Sequence, residues 1–149
     1  VLTGSGAGGG GVFSEANARF DTDYRLPRRV LTFALGGKAT LPKVPHEARA
    51  PLDDPGFRPD PALMRQGAMA FGSCMVCHGS NARSAGTAPD LRTSPFILDA
   101  QAFRKVVKEG ALVPAGMPAL PYLDDGTVEA IRHYLRGRSQ QLGEEKVKG

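Results

Sequence analysis

The chain has 149 residues, 41% hydrophobic and 23% charged, with a formal net charge of +4, which suits one globular domain plus an extension. The charge is spread evenly: residues 1–59 hold eight Lys/Arg against six Asp/Glu, residues 60–149 hold eleven against nine, and no run of five like charges marks a nucleic-acid stripe. No apolar run approaches the roughly 20 residues that cross a bilayer, and a cysteine count of two, Cys74 and Cys77, rules out a disulfide framework.

Residues 1–41 read as β and turn. They open without an initiator Met or a signal-peptide pattern, and look like the middle of something longer. Gly4 to Gly11 is a glycine-rich loop. Its Gly4-x-Gly6-x-x-Gly9 formally matches a dinucleotide fingerprint, but no amphipathic helix and no βαβ unit follow. Arg29–Leu35 alternates, with Leu31, Phe33 and Leu35 on one face, and Gly36-Gly37 offers a tight turn into a short return strand, Lys38–Leu41. Such a hairpin is barely stable alone and needs a larger sheet.

Residues 42–60 read as an extended, semi-rigid linker rich in proline: Pro42, Pro45, Pro51, Pro55 and Pro59, with Pro61 just beyond. Residues 61–142 read as a small helical domain. Asp60 caps a first helix with Pro61 at its first position, and Leu63, Gly67, Ala70 and Phe71 recur at helical spacing. Asp99 caps a second helix that carries Phe103, Val106 and Val107 on one face and ends at Gly110. Asp124 or Asp125 caps a third, with Val128, Ile131, Tyr134 and Leu135 inward and Gly137 near its end. Gly67 and Phe71 take the crossing of that third helix, with Tyr134 packing there. Residues 143–149 are expected to fray as a flexible tail.

The chemistry lies at Cys74-Met75-Val76-Cys77-His78. On one helical turn, residues i, i+3 and i+4 share a face. Cys74 and Cys77 therefore reach the two vinyl groups along one porphyrin edge, and His78 projects its imidazole toward the iron. This is the spacing of a c-type haem attachment. A zinc site wants four ligands, and neither a second cysteine pair nor a His-x₃₋₅-His is present. A thioredoxin-type pair wants a βαβ context, also absent.

The sixth iron ligand is sought among Met64, Met69, Met75, Met117, His46 and His133. Met75 is too close to the attachment turn to reach the other face. Met64 and Met69 suit packing on the first helix, and His133 suits a surface or rim position. Met117, in the non-helical Pro114-Ala115-Gly116-Met117-Pro118, can present its thioether to the far face. That ligand favours ferrous iron relative to bis-His ligation and closes the site to small molecules. A ligating histidine donates its other N–H to a fixed acceptor, and the Pro89 carbonyl, in Gly86-Thr87-Ala88-Pro89-Asp90-Leu91, is the candidate.

These residues carry a family resemblance. Residues 61–137 resemble a class I cytochrome c domain in Gly67 and Phe71 before the Cys-x-x-Cys-His, Gly79 after it, the Gly-x-x-Pro-Asp-Leu loop, Gly-Met-Pro and an aromatic in the last helix. Ser84–Arg92, Val106–Leu112 and Gly116-Met117-Pro118 together resemble the C-terminal cytochrome domain of quinohaemoprotein alcohol dehydrogenases, and Arg29–Pro42 resembles the closing strands of their propeller. The resemblance implies a mainly α fold, three main helices around one covalent haem c, preceded by a β/coil extension and a linker. It implies a periplasmic electron carrier, the electron-accepting domain or subunit of a dehydrogenase that uses pyrroloquinoline quinone (PQQ). Its partners would be the propeller and an external acceptor: a cytochrome, a copper protein or a quinone. The chain is too short to contain an eight-bladed propeller. PQQ and calcium are therefore expected only in a partner or missing domain, and the chain alone does not oxidise an alcohol in that family's way. A free-standing soluble periplasmic cytochrome c is the alternative, with residues 1–59 dispensable.

Overall fold

The computed structural model describes residues 33–40, 50–84 and 88–147. The glycine-rich loop, most of the expected strand over Arg29–Leu35 and residues 41–49 lie outside them. Among the described residues no strand forms. Of the expected hairpin they contain the turn, where Gly37 N–H donates to Ala34 O at 3.0 Å. The turn centres on Leu35-Gly36, one residue earlier than expected, because its third position takes a positive φ, supplied by Gly36 at +74°.

Among the described residues four α-helices follow: α1 Pro61–Ala70, α2 Met75–His78, α3 Ala100–Val107 and α4 Asp125–Val147. The first cap is as expected, with Asp60 Oδ1 accepting from Ala62 N at 2.8 Å and Leu63 N at 2.9 Å. Asp99 Oδ1 accepts from Ala102 N at 2.8 Å. At α4 the choice falls on Asp124, whose carboxylate accepts from Thr127 N at 2.8 Å and from Thr127 Oγ1 at 2.6 Å. Each such cap contributes about 1 kcal/mol.

Helix α4 is the spine, with α1, α3 and the short 3₁₀ turns Leu91–Thr93 and Pro95–Leu98 packed against it. Phe71, Ile97, Phe103, Val107, Val128, Ile131, Tyr134 and Leu135 form the buried core. The α1–α4 crossing passes through Gly67, where a Cβ would lie 2.0 Å from Ala130 O and 2.6 Å from Tyr134 Cβ. Phe71 and Tyr134 meet beside it with ring centroids 5.5 Å apart.

Two expectations change. Helix α4 does not end near Gly137 but continues to Val147. Gly137 serves close approach rather than termination: a Cβ there would fall 2.5 Å from Met64 Sδ. The proline-rich stretch is also not extended throughout. From Leu52 onward it lies along α4 between His133 and Ser139. Leu52 N–H donates to Ser139 Oγ at 3.0 Å, and Arg136 grips Asp54 through both carboxylate oxygens at 2.7 and 3.0 Å. Phe57 is buried, with the Arg136 guanidinium 4.3 Å from its ring centroid. His133, expected at a rim, is only 8% exposed. Its Nε2 accepts from Asp60 N–H at 2.9 Å and its ring packs 4.8 Å from Phe57. Beyond Gly137, Ser139 and Gly143 meet this strap at Leu52 and Pro51.

Candidate haem-attachment site

Helix α2 is a single turn. Cys77 N–H and His78 N–H both point back to Cys74 O, at 3.3 and 3.0 Å, and Gly79 N–H closes the turn on Met75 O at 2.8 Å. That geometry places Cys74, Cys77 and His78 along one face, as the spacing predicts. Cys74 is half-buried and Cys77 exposed, and both are free thiols. Burial pushes the Cys74 thiol up, against a hydrogen bond from Ser73, and neighbouring Cys77 adds to the rise. An activated redox thiol needs the opposite. Among the described residues no three His, Cys, Asp or Glu side chains gather where they could hold a metal ion.

His78 is 8% exposed. Its Nδ1 lies 2.9 Å from Pro89 O. A carbonyl only accepts, so Nδ1 carries the proton and the lone pair resides on Nε2. Burial is the largest influence on this ring and pulls its pKa below the ordinary histidine value; the Pro89 carbonyl and the Asp90 carboxylate oppose it. The imidazole is thus neutral at physiological pH, the form that ligates a metal.

Met117 follows the turn Val113–Ala115, which ends at Gly116 in the left-handed region at φ +93°. Met117 N–H donates to Leu112 O at 3.2 Å, and Leu120 N–H to Val107 O at 2.7 Å, so this segment is tied back to the end of α3. Met117 is half-buried, and its side chain packs against the same apolar core as Cys74 and Met75. Met64 also packs against that core, whereas Met69 is 79% exposed. His46 lies outside the described residues.

The donor set suits a covalent haem: two thiols and a neutral imidazole on one turn, a fixed acceptor behind that imidazole, and a thioether on a separate non-helical segment. Comparison with known proteins gives the family. No family model matches the chain. It is 37% identical over 116 residues to quinohaemoprotein alcohol dehydrogenase ADH IIB of Pseudomonas putida, covering 76% of this chain and 17% of that protein. It is 34% identical over 113 residues to lupanine 17-hydroxylase [cytochrome c] of a Pseudomonas species, covering 73% of this chain and 16% of the relative. The chain is homologous to part of the quinohaemoprotein alcohol dehydrogenases. The dehydrogenase subunit of the Acetobacter aceti quinone alcohol dehydrogenase matches likewise, at 33% over 120 residues, 79% of this chain and 16% of the subunit. The chain thus spans under a fifth of these relatives' length.

Sequence reasoning missed one feature beside the site. Asp90 and Arg92, 6% and 3% exposed, form a buried ion pair two residues apart, directly after Pro89. An acidic residue that caps a turn carrying an arginine at its second position was the available signal.

Proposed function

We propose that this chain carries one covalent haem c and serves as the electron-accepting domain or subunit of a PQQ-dependent dehydrogenase in the periplasm. The observation that carries the reading is the Cys74–His78 turn with His78 Nδ1 secured to Pro89 O at 2.9 Å, in a chain homologous to quinohaemoproteins. Cys74 and Cys77 would hold the haem through thioethers to its two vinyl groups. His78, through Nε2, and the Met117 thioether would ligate the iron and close it to small molecules. When bound, the haem supplies a one-electron ferric–ferrous couple. The half-buried Met117 and the buried His78 limit water around it, and Pro89 keeps the imidazole in one tautomer and orientation.

The bound haem would take electrons one at a time from the reduced quinone cofactor of the dehydrogenase partner and pass them to an external cytochrome, copper protein or quinone. The bound strap from Leu52 to Asp60 favours this reading over a free-standing shuttle, in which residues up to 59 are dispensable. No helix among the described residues is long and apolar enough to cross a membrane. The test mixes the oxidised, haem-loaded chain with a PQQ-loaded alcohol dehydrogenase stripped of its own cytochrome. Alcohol-dependent reduction of the haem bands supports the proposal. Reduction by dithionite but never by the alcohol-charged enzyme overturns the partner assignment.

A further inference from the structure

The ion pair after Pro89 has unusually complete geometry. Arg92 Nε donates to Asp90 Oδ1 at 3.0 Å and Nη2 to Oδ2 at 2.8 Å, a bidentate fork. Arg92 backbone N–H adds a third donor to Oδ1 at 3.1 Å. Asp90 O accepts from Thr93 Oγ1 at 3.2 Å, and the turn they form packs against α4.

Stability does not account for such a pair. Desolvating two charges costs about as much as their attraction returns, and apolar residues of similar volume do as well or better. A buried fork does fix geometry, because five guanidinium donors in a rigid plane match a carboxylate in few orientations. Here the residue it immobilises is the one bonded to Pro89, so the Pro89–Asp90 peptide is held from the Asp90 side while His78 takes the carbonyl.

We infer that the Asp90–Arg92 pair is a positioning device for the axial histidine: it locks the Pro89 carbonyl and thereby sets how strongly the Nδ1–H of His78 is polarised. The inference rests on the haem reading. A firm acceptor behind Nδ1 pushes electron density onto Nε2 and strengthens donation to ferric iron; a loosened one leaves the ferrous state relatively favoured.

The test uses the haem-loaded chain and the substitution Arg92→Lys, which keeps both charges and removes the fork. Two readouts are taken: deuterium exchange of the His78 Nδ1–H by NMR, and the midpoint potential. Helix content and the denaturation midpoint report the fold. Weakening one hydrogen bond by about 1 kcal/mol predicts roughly fivefold faster exchange and a similar shift of the ferric–ferrous balance toward ferrous. A merely structural role lowers the denaturation midpoint and moves neither readout. A folded, haem-loaded R92K with unchanged exchange and potential therefore overturns the inference alone. Where R92K does not fold, Asp90→Glu displaces the same carboxylate and is read by the same criteria. A wild-type chain that acquires no haem when matured overturns the haem reading, and this inference with it.

Discussion

At His78 the proposed haem attachment rests on fixed chemistry at fixed spacing. One helical turn carries a half-buried and an exposed cysteine, and His78 Nδ1 lies 2.9 Å from Pro89 O. Met117 is the residue whose proposed role is most easily isolated. Replacing it with alanine removes a thioether without touching α2. The variant is expected to keep its covalent haem, lose the thioether–iron absorption, bind carbon monoxide or cyanide, and show a lower midpoint potential. Unaltered ligand-free spectra in Met117→Ala would assign the sixth position elsewhere. His133 behaves differently, because it was expected at a rim and is buried. A lone histidine on an inward-leaning helix position does not reveal its partner, which here is a backbone N–H 73 residues away. Burial and the Arg136 charge hold its pKa below the ordinary histidine value, with Arg132 adding to this and Asp60 and Glu129 opposing. Neutral His133 therefore contributes stability that is full above the unfolded value of about 6.5 and is lost as pH falls through the lowered folded value. Denaturation midpoints taken from pH 8 down to pH 5 are expected to fall. In His133→Gln, whose amide oxygen still accepts from Asp60, that fall is expected to shrink; an unchanged slope would remove His133 from the account.

The elements divide by the kind of signal that predicts them. Helices α1 and α3 carry local signatures, an aspartate cap and a helical stripe, and began where those signatures stand. The far end of α4 has none, because what prolongs it is non-local. Gly137 is indistinguishable in sequence from a terminating glycine, and only the Met64 side chain lying against it shows that it serves packing. The strap was hidden for the same reason: proline content describes how the chain is stiffened, not what it lies against. Asp54, Phe57 and Asp60 anchor it to Arg136, His133 and Ser139 of α4 together with Leu52. Phe57→Ala is expected to cost about 3 kcal/mol, the usual cost of emptying a buried aromatic site, measured as a shift in the denaturant midpoint. At the α1–α4 crossing, Gly67→Ala forces a methyl to within 2.0 Å of Ala130 O unless the helices separate. It is expected to destabilise by at least about 2 kcal/mol. A neutral Gly67→Ala would mean that the two helices are not held at this distance.

At the scale of the whole molecule, the helical fold was readable, and most of the expected extension lies outside the described residues. Helices α1 and α3 pack against α4, and that arrangement follows from periodicity. Residues 33–40 hold a turn and no strand among the described residues. The homology likewise joins a small domain to much longer proteins, of which it matches 16–17% in the three compared. Haem attachment is the claim on which the carrier role, the partner and the Asp90–Arg92 inference all depend. The intact mass of the 15.7 kDa chain, matured alongside a cytochrome c assembly system and then denatured, tests it directly. The account predicts the polypeptide mass plus one haem, retained through denaturation, with neither Cys74 nor Cys77 open to alkylation. A bare polypeptide mass with two thiols that alkylate would contradict it.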